Sequence, residues 1–391
     1  MYQGRCTLWV QRGSYSSPKP PRKISSAVMS QPTAPPKGDE NLTKLQTETP
    51  KAKKKGKSLP PKLIIKLGKF VWTTLWHIMM SNLAPRSKSG EYIRPSSQFR
   101  SFIGTEQGNP YPPEAGRYNL YVGLGCPWAH RTLVVRALKG LEDAISVSVV
   151  SPSPTEGGWV LNQEEEGCRA LAELYQLAEP GYSGRSTVPV LWDKQTKAIV
   201  NNESAEIIVM LNSQFNEFAK NLTLDLYPEE LREKIDGWNE KIYHSVNNGV
   251  YRCGFAQTQE AYNQVCNELF ATLDEIDAAL KTSRYLCGDK VTLADVRLFT
   301  TLFRFDVAYY GLFKCNRRRI QDYKNLGAYL RDLYQLPGVA DTCSLESVKQ
   351  DYYGNLFPLN PGGIIPSGPD MTSLLEPHGR ESIGKESALQ N

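Results

Sequence analysis

The sequence predicts an α/β domain followed by an all-helical one, and three observations carry that reading. Between Tyr118 and Leu211, short β-branched and aromatic runs alternate with helical periodicity in the order β, α, β, α, β, β, α. From Pro228 to about Val348 the periodicity is helical throughout. A chain of 391 residues is long enough for two such cores and a tail.

The first strand is "YNLYVGL" (118–124), and "PWAHRTLVVRALKGL" (127–141) follows as a helix with Leu133, Val134, Leu138 and Leu141 on one face. "AISVSVVSP" (144–152) is a second strand running into a Pro-bounded loop, and the pattern is helical again from Glu164 to Ala178. "STVPVLWDKQTKAIVNNESAEIIVML" (186–211) holds two short strands joined by a polar turn at Asp193 to Thr196, with a helix opening near Glu203. Pro189 has no N–H for a ladder, so it belongs at a strand end, with a cis bond and with the Val188 backbone facing outward. In the helical part, Val265, Leu269, Leu273, Ile276 and Leu280 keep a core-facing rhythm, and Thr292 with Asp295 forms a capping-box variant.

The boundaries that follow are a disordered or weakly structured basic extension over 1–93, the α/β domain over 94–222, the helical domain over 223–348 and an irregular arm over 349–391. Within the extension, Trp72, Leu75, Trp76 and Met79 recur at helical spacing and predict a helix docked on its own protein. Lys66, Lys69 and His77 interrupt that apolar stretch, so no transmembrane segment is predicted.

The hydrophobic fraction of 40% and charged fraction of 22% are those of a globular protein, and a scattered net charge of +5 does not point to nucleic acid. Eight cysteines lack the paired spacing of a zinc site or a disulfide scaffold, which favours a reducing compartment and no metal. Residues 1–38 carry six basic and no acidic residues, a transit-peptide bias that a plain tail shares, so the cytoplasm is the expected location and a plastid the alternative. The run "KAKKKGK" (51–57) reads as a solvated linker.

The chemistry centres on "GLGCPWAHR" (123–131). Cys126 stands at a strand-to-helix junction, where unpaired first-turn amides and the helix dipole favour a thiolate, and Pro127 fits the first turn. A buried structural thiol is the bland alternative; a metal site with His130 lacks further ligands. The absence of a second cysteine two residues on argues against a dithiol mechanism, leaving a monothiol nucleophile that needs a thiol from solution.

The element order, with a proline in the third strand and a cysteine opening the first helix, resembles the thioredoxin-like half of a glutathione transferase. "GCPWAHR", "GGWV", "GRSTVPVLWD", "NNESAEII", "NNGVYRCGF", "YLCGDKVTLADVRLF", "RFDVAYYGLFKCN" and "LNPGGI", taken in order, resemble the glutathionyl-hydroquinone reductases, or xi-class glutathione transferases, from about Arg94 to about Gly379. The resemblance implies a thioredoxin-like domain followed by a helical glutathione-transferase domain, a homodimer, and glutathione as co-substrate. It implies that Cys126 takes the glutathionyl group from a glutathionyl-hydroquinone, and that a second glutathione releases it as oxidised glutathione. Trp159, Arg185, Ser186, Thr187, Val188, Glu203 and Ser204 match the family's glutathione-binding positions, Tyr251 its proton donor, and Tyr309 and Tyr352 its thiolate-stabilising aromatic pocket. Tyr243, Tyr310 and Tyr353 stand close enough in sequence to compete for those last assignments. An omega-type thioltransferase or dehydroascorbate reductase shares Cys126 and the glutathione positions; a non-catalytic binding module would need no reactive thiol.

Overall fold

The computed structural model describes residues 60–153 and 157–383. The transit-like residues 1–38 and the lysine run 51–57 lie outside them. Its strands are β1 (Tyr118–Val122), β2 (Ser146–Pro152), β3 (Trp159–Glu165), β4 (Cys168–Ala170), β5 (Val190–Asp193) and β6 (Ala198–Asn201). They form one sheet in the order β4-β3-β2-β1-β5-β6. β1 is buried at every residue because it lies inside the sheet, parallel to β2 on one side and antiparallel to β5 on the other, with Leu120 opposite Val147 and Leu191. Arg117 and Asp193 tie β1 to the end of β5 through two N–H···O bonds of 2.9 and 2.6 Å, both side chains buried.

β3 and β4 are absent from the sequence reading, which put Trp159 in a loop and began a helix at Glu164. The helix, α3 (Leu171–Ala178), starts later. "WVLNQEE" has no clean alternation, and it becomes a strand because the free edge of β2 offers it a ladder, Val150 facing Leu161. The parallel β1–β2 connection runs through α2 (Pro127–Lys139). Gly140, at φ +65°, ends α2 in the left-handed region and lets the Gly140 and Leu141 amides reach the carbonyls of Ala137 and Arg136. α2 packs against α4 (Ser204–Ser213) and against α8 (Leu293–Arg304) of the helical half.

That half consists of α5 (Arg232–Ile242), α6 (Gly249–Gly254), α7 (Gln259–Ala279), α8, α9 (Lys324–Tyr334) and α10 (Leu345–Lys349). Single π-helical turns interrupt it at Tyr243–Asn247, Phe305–Tyr309 and Gln350–Gly354. Val265, Leu269, Leu273, Ile276 and Leu280 are buried, as their spacing requires. Asp295 is fully buried at the start of α8, where its carboxylate accepts from Leu286 N (2.9 Å), Thr292 N (2.8 Å), Thr292 Oγ1 (2.9 Å) and Tyr329 Oη (2.7 Å). Asp295→Ala strands those donors in the core and is expected to cost about 3–5 kcal/mol, read as a fall in the urea midpoint. An unchanged midpoint would show that the cap is dispensable.

Ordered chain begins before Arg94. α1 (Pro61–Leu83) precedes it, and Met80, Ala84 and Tyr92 are buried in the core. The helix expected to dock on its own protein does so only by its last turns: Trp76 Nε1 donates to Pro358 O at 3.1 Å, while residues 61–75 are exposed.

Candidate active site

Cys126 caps α2 from an extended backbone (φ −77°, ψ 121°), and Pro127 takes the first helical position. Cys126 is half-buried, and its thiol lies 3.7 Å from Val188 O, beside the cis Val188–Pro189 bond. Two glycines make the loop before it possible. A Cβ on Gly123 would lie 2.4 Å from the Trp159 ring, and one on Gly125 would lie 2.1 Å from the Asp351 carboxylate.

The helical half holds this loop. Arg304, buried at the end of α8, donates to Gly125 O (2.8 Å), Leu124 O (2.9 Å), Thr300 O (2.9 Å) and His130 Nδ1 (2.9 Å). A guanidinium only donates, so His130 carries its proton on Nε2 and gives it to Thr342 Oγ1 at 2.8 Å. Burial and the neighbouring Arg304 hold His130 well below its ordinary pKa, which keeps the ring neutral. His130 therefore serves the loop through Arg304.

The expected easing of Cys126 ionisation is present but outweighed. Burial pushes the thiol up, while the Ala129 and Trp128 amides and the Arg304 and Arg94 guanidinia push it down.

Asp351 supplies the loop's other anchor, accepting from Gly125 N at 3.1 Å. Burial pushes its carboxyl up to about 6, against the lowering by Gly125 N–H and Arg304. A carboxyl raised by folding costs stability once ionised: stability falls as pH rises from the unfolded value near 4 to about 6, then levels off. Asp351→Asn should remove that decline, on the order of 2 kcal/mol, in urea titrations from acid to neutral pH. Parallel pH profiles for wild type and variant would count against it.

Beside the thiol is a cleft of about 230 Å³ lined by Arg94, Ser97, Trp128, Arg185, Thr187, Val188, Glu203 and Ser204, among others. The loop 185–188 is held by Tyr182 Oη, which donates to Arg185 O (3.1 Å), and by Tyr175 Oη, which donates to Thr187 O (2.8 Å). Glu203 is the N-cap of α4, accepting from Ala205 N (3.1 Å) and Ser97 Oγ (2.9 Å). Ser204 Oγ accepts from Arg131 Nη1 at 3.3 Å. Arg131 is buried, its hydrogen-bond partners Ser204 and Asn247 are neutral, and its Nε is unpaired among the described residues. Burial, with Arg297 close by, lowers its pKa to about 9, while Glu203 pulls the other way. A buried cation beside a helix N-terminus is a place for a ligand carboxylate.

Of the sequence-assigned residues, Arg185, Thr187, Val188, Glu203 and Ser204 line the cleft together. Ser186 lies within the same loop, and Trp159 packs over Gly123 at the start of β3, a strand rather than the loop expected for it.

Tyr251, Tyr309 and Tyr352 converge from α6 and two π-helical turns. Their hydroxyls form a chain, Tyr251 to Tyr352 at 2.6 Å and Tyr352 to Tyr309 at 2.8 Å. Tyr309 and Tyr352 are buried, and Tyr251 is the half-buried end. Burial pushes Tyr309 up to about 12 and the other two well above their ordinary value, so all three stay protonated across physiological pH. Phe313 stacks on Tyr309 with centroids 5.3 Å apart, and Trp128 lies 6.3 Å from the Tyr251 ring, joining the aromatic group to the cleft. Of the competing tyrosines, Tyr353 bonds Val307 O instead and Tyr243 is exposed.

Sequence reasoning missed Arg304, Asp351, Arg131 and Arg94. The first and third carry a readable signal, a charge on an apolar helical face, whereas Arg94 stacks on Trp128 (4.1 Å) from far along the chain and has none.

Family models described as glutathione S-transferase N-terminal domain and C-terminal domain match residues 125–214 and 259–332. The chain is 45% identical over 326 residues to glutathionyl-hydroquinone reductase YqjG of Escherichia coli K12, spanning 80% of this chain and 97% of that one. The glutathione-bound structure of YqjG superposes with a TM-score of 0.69 at 47% identity, covering 73% and 96% of the two chains. A xi-class enzyme from Natrialba magadii gives a TM-score of 0.70 at 46% identity, covering 76% and 96%.

Proposed function

Since this chain belongs to the glutathione S-transferases, and within them to the xi-class glutathionyl-hydroquinone reductases, we propose that it reduces glutathionyl-hydroquinones with glutathione through a mixed disulfide on Cys126. The observation that carries the mechanism is the placement of one thiol, at a helix N-terminus, between a peptide-sized cleft and a chain of three protonated tyrosines.

The backbone of Val188 pairs with the cysteinyl part of glutathione, and Arg185 and Trp159 hold its glycine end. Its γ-glutamyl carboxylate meets the N-terminus of α4 at Ser204 with buried Arg131 behind it, and Glu203 takes the ammonium group. The ligand carboxylate would add a hydrogen-bonded counter-charge for Arg131, which is otherwise offset only at a distance by Glu203.

The Cys126 thiolate attacks the sulfur of the thioether. The carbon–sulfur electron pair stays with the ring carbon, which takes a proton, and a Cys126–glutathione disulfide forms. Tyr251 gives that proton: it is the half-buried end of the tyrosine chain, and Tyr309 and Tyr352 behind it relay the hydrogen bond. A second glutathione attacks the mixed disulfide, leaving oxidised glutathione and free Cys126. The ring carbon is reduced by two electrons, and the thioether sulfur and the sulfur of the second glutathione are oxidised to one disulfide.

The proposal extends to a homodimer in a reducing, cytoplasmic setting, and the free state of all seven cysteines among the described residues supports the latter. The test is turnover of glutathionyl-menadiol with excess glutathione, following menadiol and oxidised glutathione. Equal release of both products is expected. Reduction of dehydroascorbate without menadiol release would replace this reading with the omega-type one.

A further inference from the structure

We propose that α1 is an interfacial anchor that lays the protein on an anionic lipid surface. Residues 61–75 of this 23-residue helix are exposed on every side, and the body holds only its last turns, through the Trp76–Pro358 bond and the buried Met80. The free part carries Leu63, Ile64, Ile65, Phe70, Trp72 and Leu75, each about half exposed or more, with Phe70 at 70%. An apolar face of this extent marks a site that something else covers.

Charge selects the cover. Lys62, Lys66 and Lys69 recur at i, i+4 and i+7 and form one narrow stripe, and Met80, five whole turns after Lys62, continues it. The stripe thus runs on into the side the body holds, and the wide apolar arc points away from the body. Immediately before the helix the sequence reads "KAKKKGK" (51–57), and no aspartate or glutamate occurs between Glu48 and Glu91. A second copy on this face would bring two lysine stripes and two basic runs together, whereas anionic headgroups neutralise them. Among the described residues no helix is long and apolar enough to span a membrane. An apolar arc with Trp and Phe, beside a lysine stripe whose stems can snorkel, is the pattern of a helix lying in the headgroup plane.

The experiment is flotation of the full chain with vesicles of phosphatidylcholine, with and without roughly one-third phosphatidylserine, at low and high salt. Wild type is expected to float with the anionic vesicles at low salt and to fall off at high salt. The triple change Lys62→Glu, Lys66→Glu, Lys69→Glu should lower partitioning on the order of a hundredfold, about fivefold for each lysine. Phe70→Ser with Trp72→Ser should lose more than about tenfold. Both variants alter exposed residues outside the active site and keep wild-type turnover, which controls for folding. Failure of wild type to float overturns the proposal. So does equal binding to neutral vesicles, or an assembly that the Phe70 and Trp72 changes split in the absence of lipid, which would make a second copy the occupant.

Discussion

Cys126→Ser is expected to lower kcat for glutathionyl-menadiol by at least about a thousandfold while glutathione binds within about threefold of wild type. A serine hydroxyl at this position is not ionised near neutral pH and has far less affinity for sulfur than a thiolate, so no mixed disulfide forms. In the proposed binding mode the ligand's charged ends meet Ser204, Arg131 and Arg185, and the Sγ atom's only contact with the 185–188 loop is a long one of 3.7 Å to Val188 O, so binding survives. Calorimetric titration with glutathione, beside mass spectrometry for the mass gain of the mixed disulfide, separates the two effects. A serine variant that retains a tenth of wild-type turnover would remove Cys126 from the mechanism.

Tyr251→Phe is expected to lower turnover about a hundredfold, the usual worth of a positioned acid, with little change in the ring packing around it. Its discriminating readout is the loading of Cys126 by oxidised glutathione. That exchange breaks a disulfide and protonates no carbon, so it should proceed within about threefold of wild type. Equal impairment of both reactions would mean that Tyr251 acts on the thiol. Because burial lifts all three tyrosines, the acid remains loaded well into alkaline pH, and turnover should rise with pH as Cys126 ionises, with no alkaline loss from Tyr251.

Much of this was legible in the chain. The helix after Cys126 reads from its apolar face and from Pro127, and Asp295 reads as a cap from its spacing to Thr292. Elements whose form depends on a distant partner do not read. β3 is a strand because β2 has a free edge, and its seven residues say little by themselves. Two of the cleft residues carry local signals, a helix start at Glu203 and a proline after Val188, while their proposed part in holding glutathione comes from the family resemblance. Arg304 and Asp351 act on a loop about 180 and 226 residues before them, a relation no periodicity encodes. Twenty tyrosines also exceed what composition can sort; the family resemblance points to three, and the structure joins those three in a hydroxyl chain.

The clamp from Arg304 bears on modularity. The segment carrying the proposed nucleophile looks like a free-standing redox cassette, yet the carbonyls of Leu124 and Gly125 are satisfied by a side chain from α8, and the Gly125 amide by one from beyond α10. Cut away from the helical half, the cysteine loop would lose these fasteners. Transplanting this chemistry onto another scaffold means carrying Arg304, His130 and Asp351 along with the thiol.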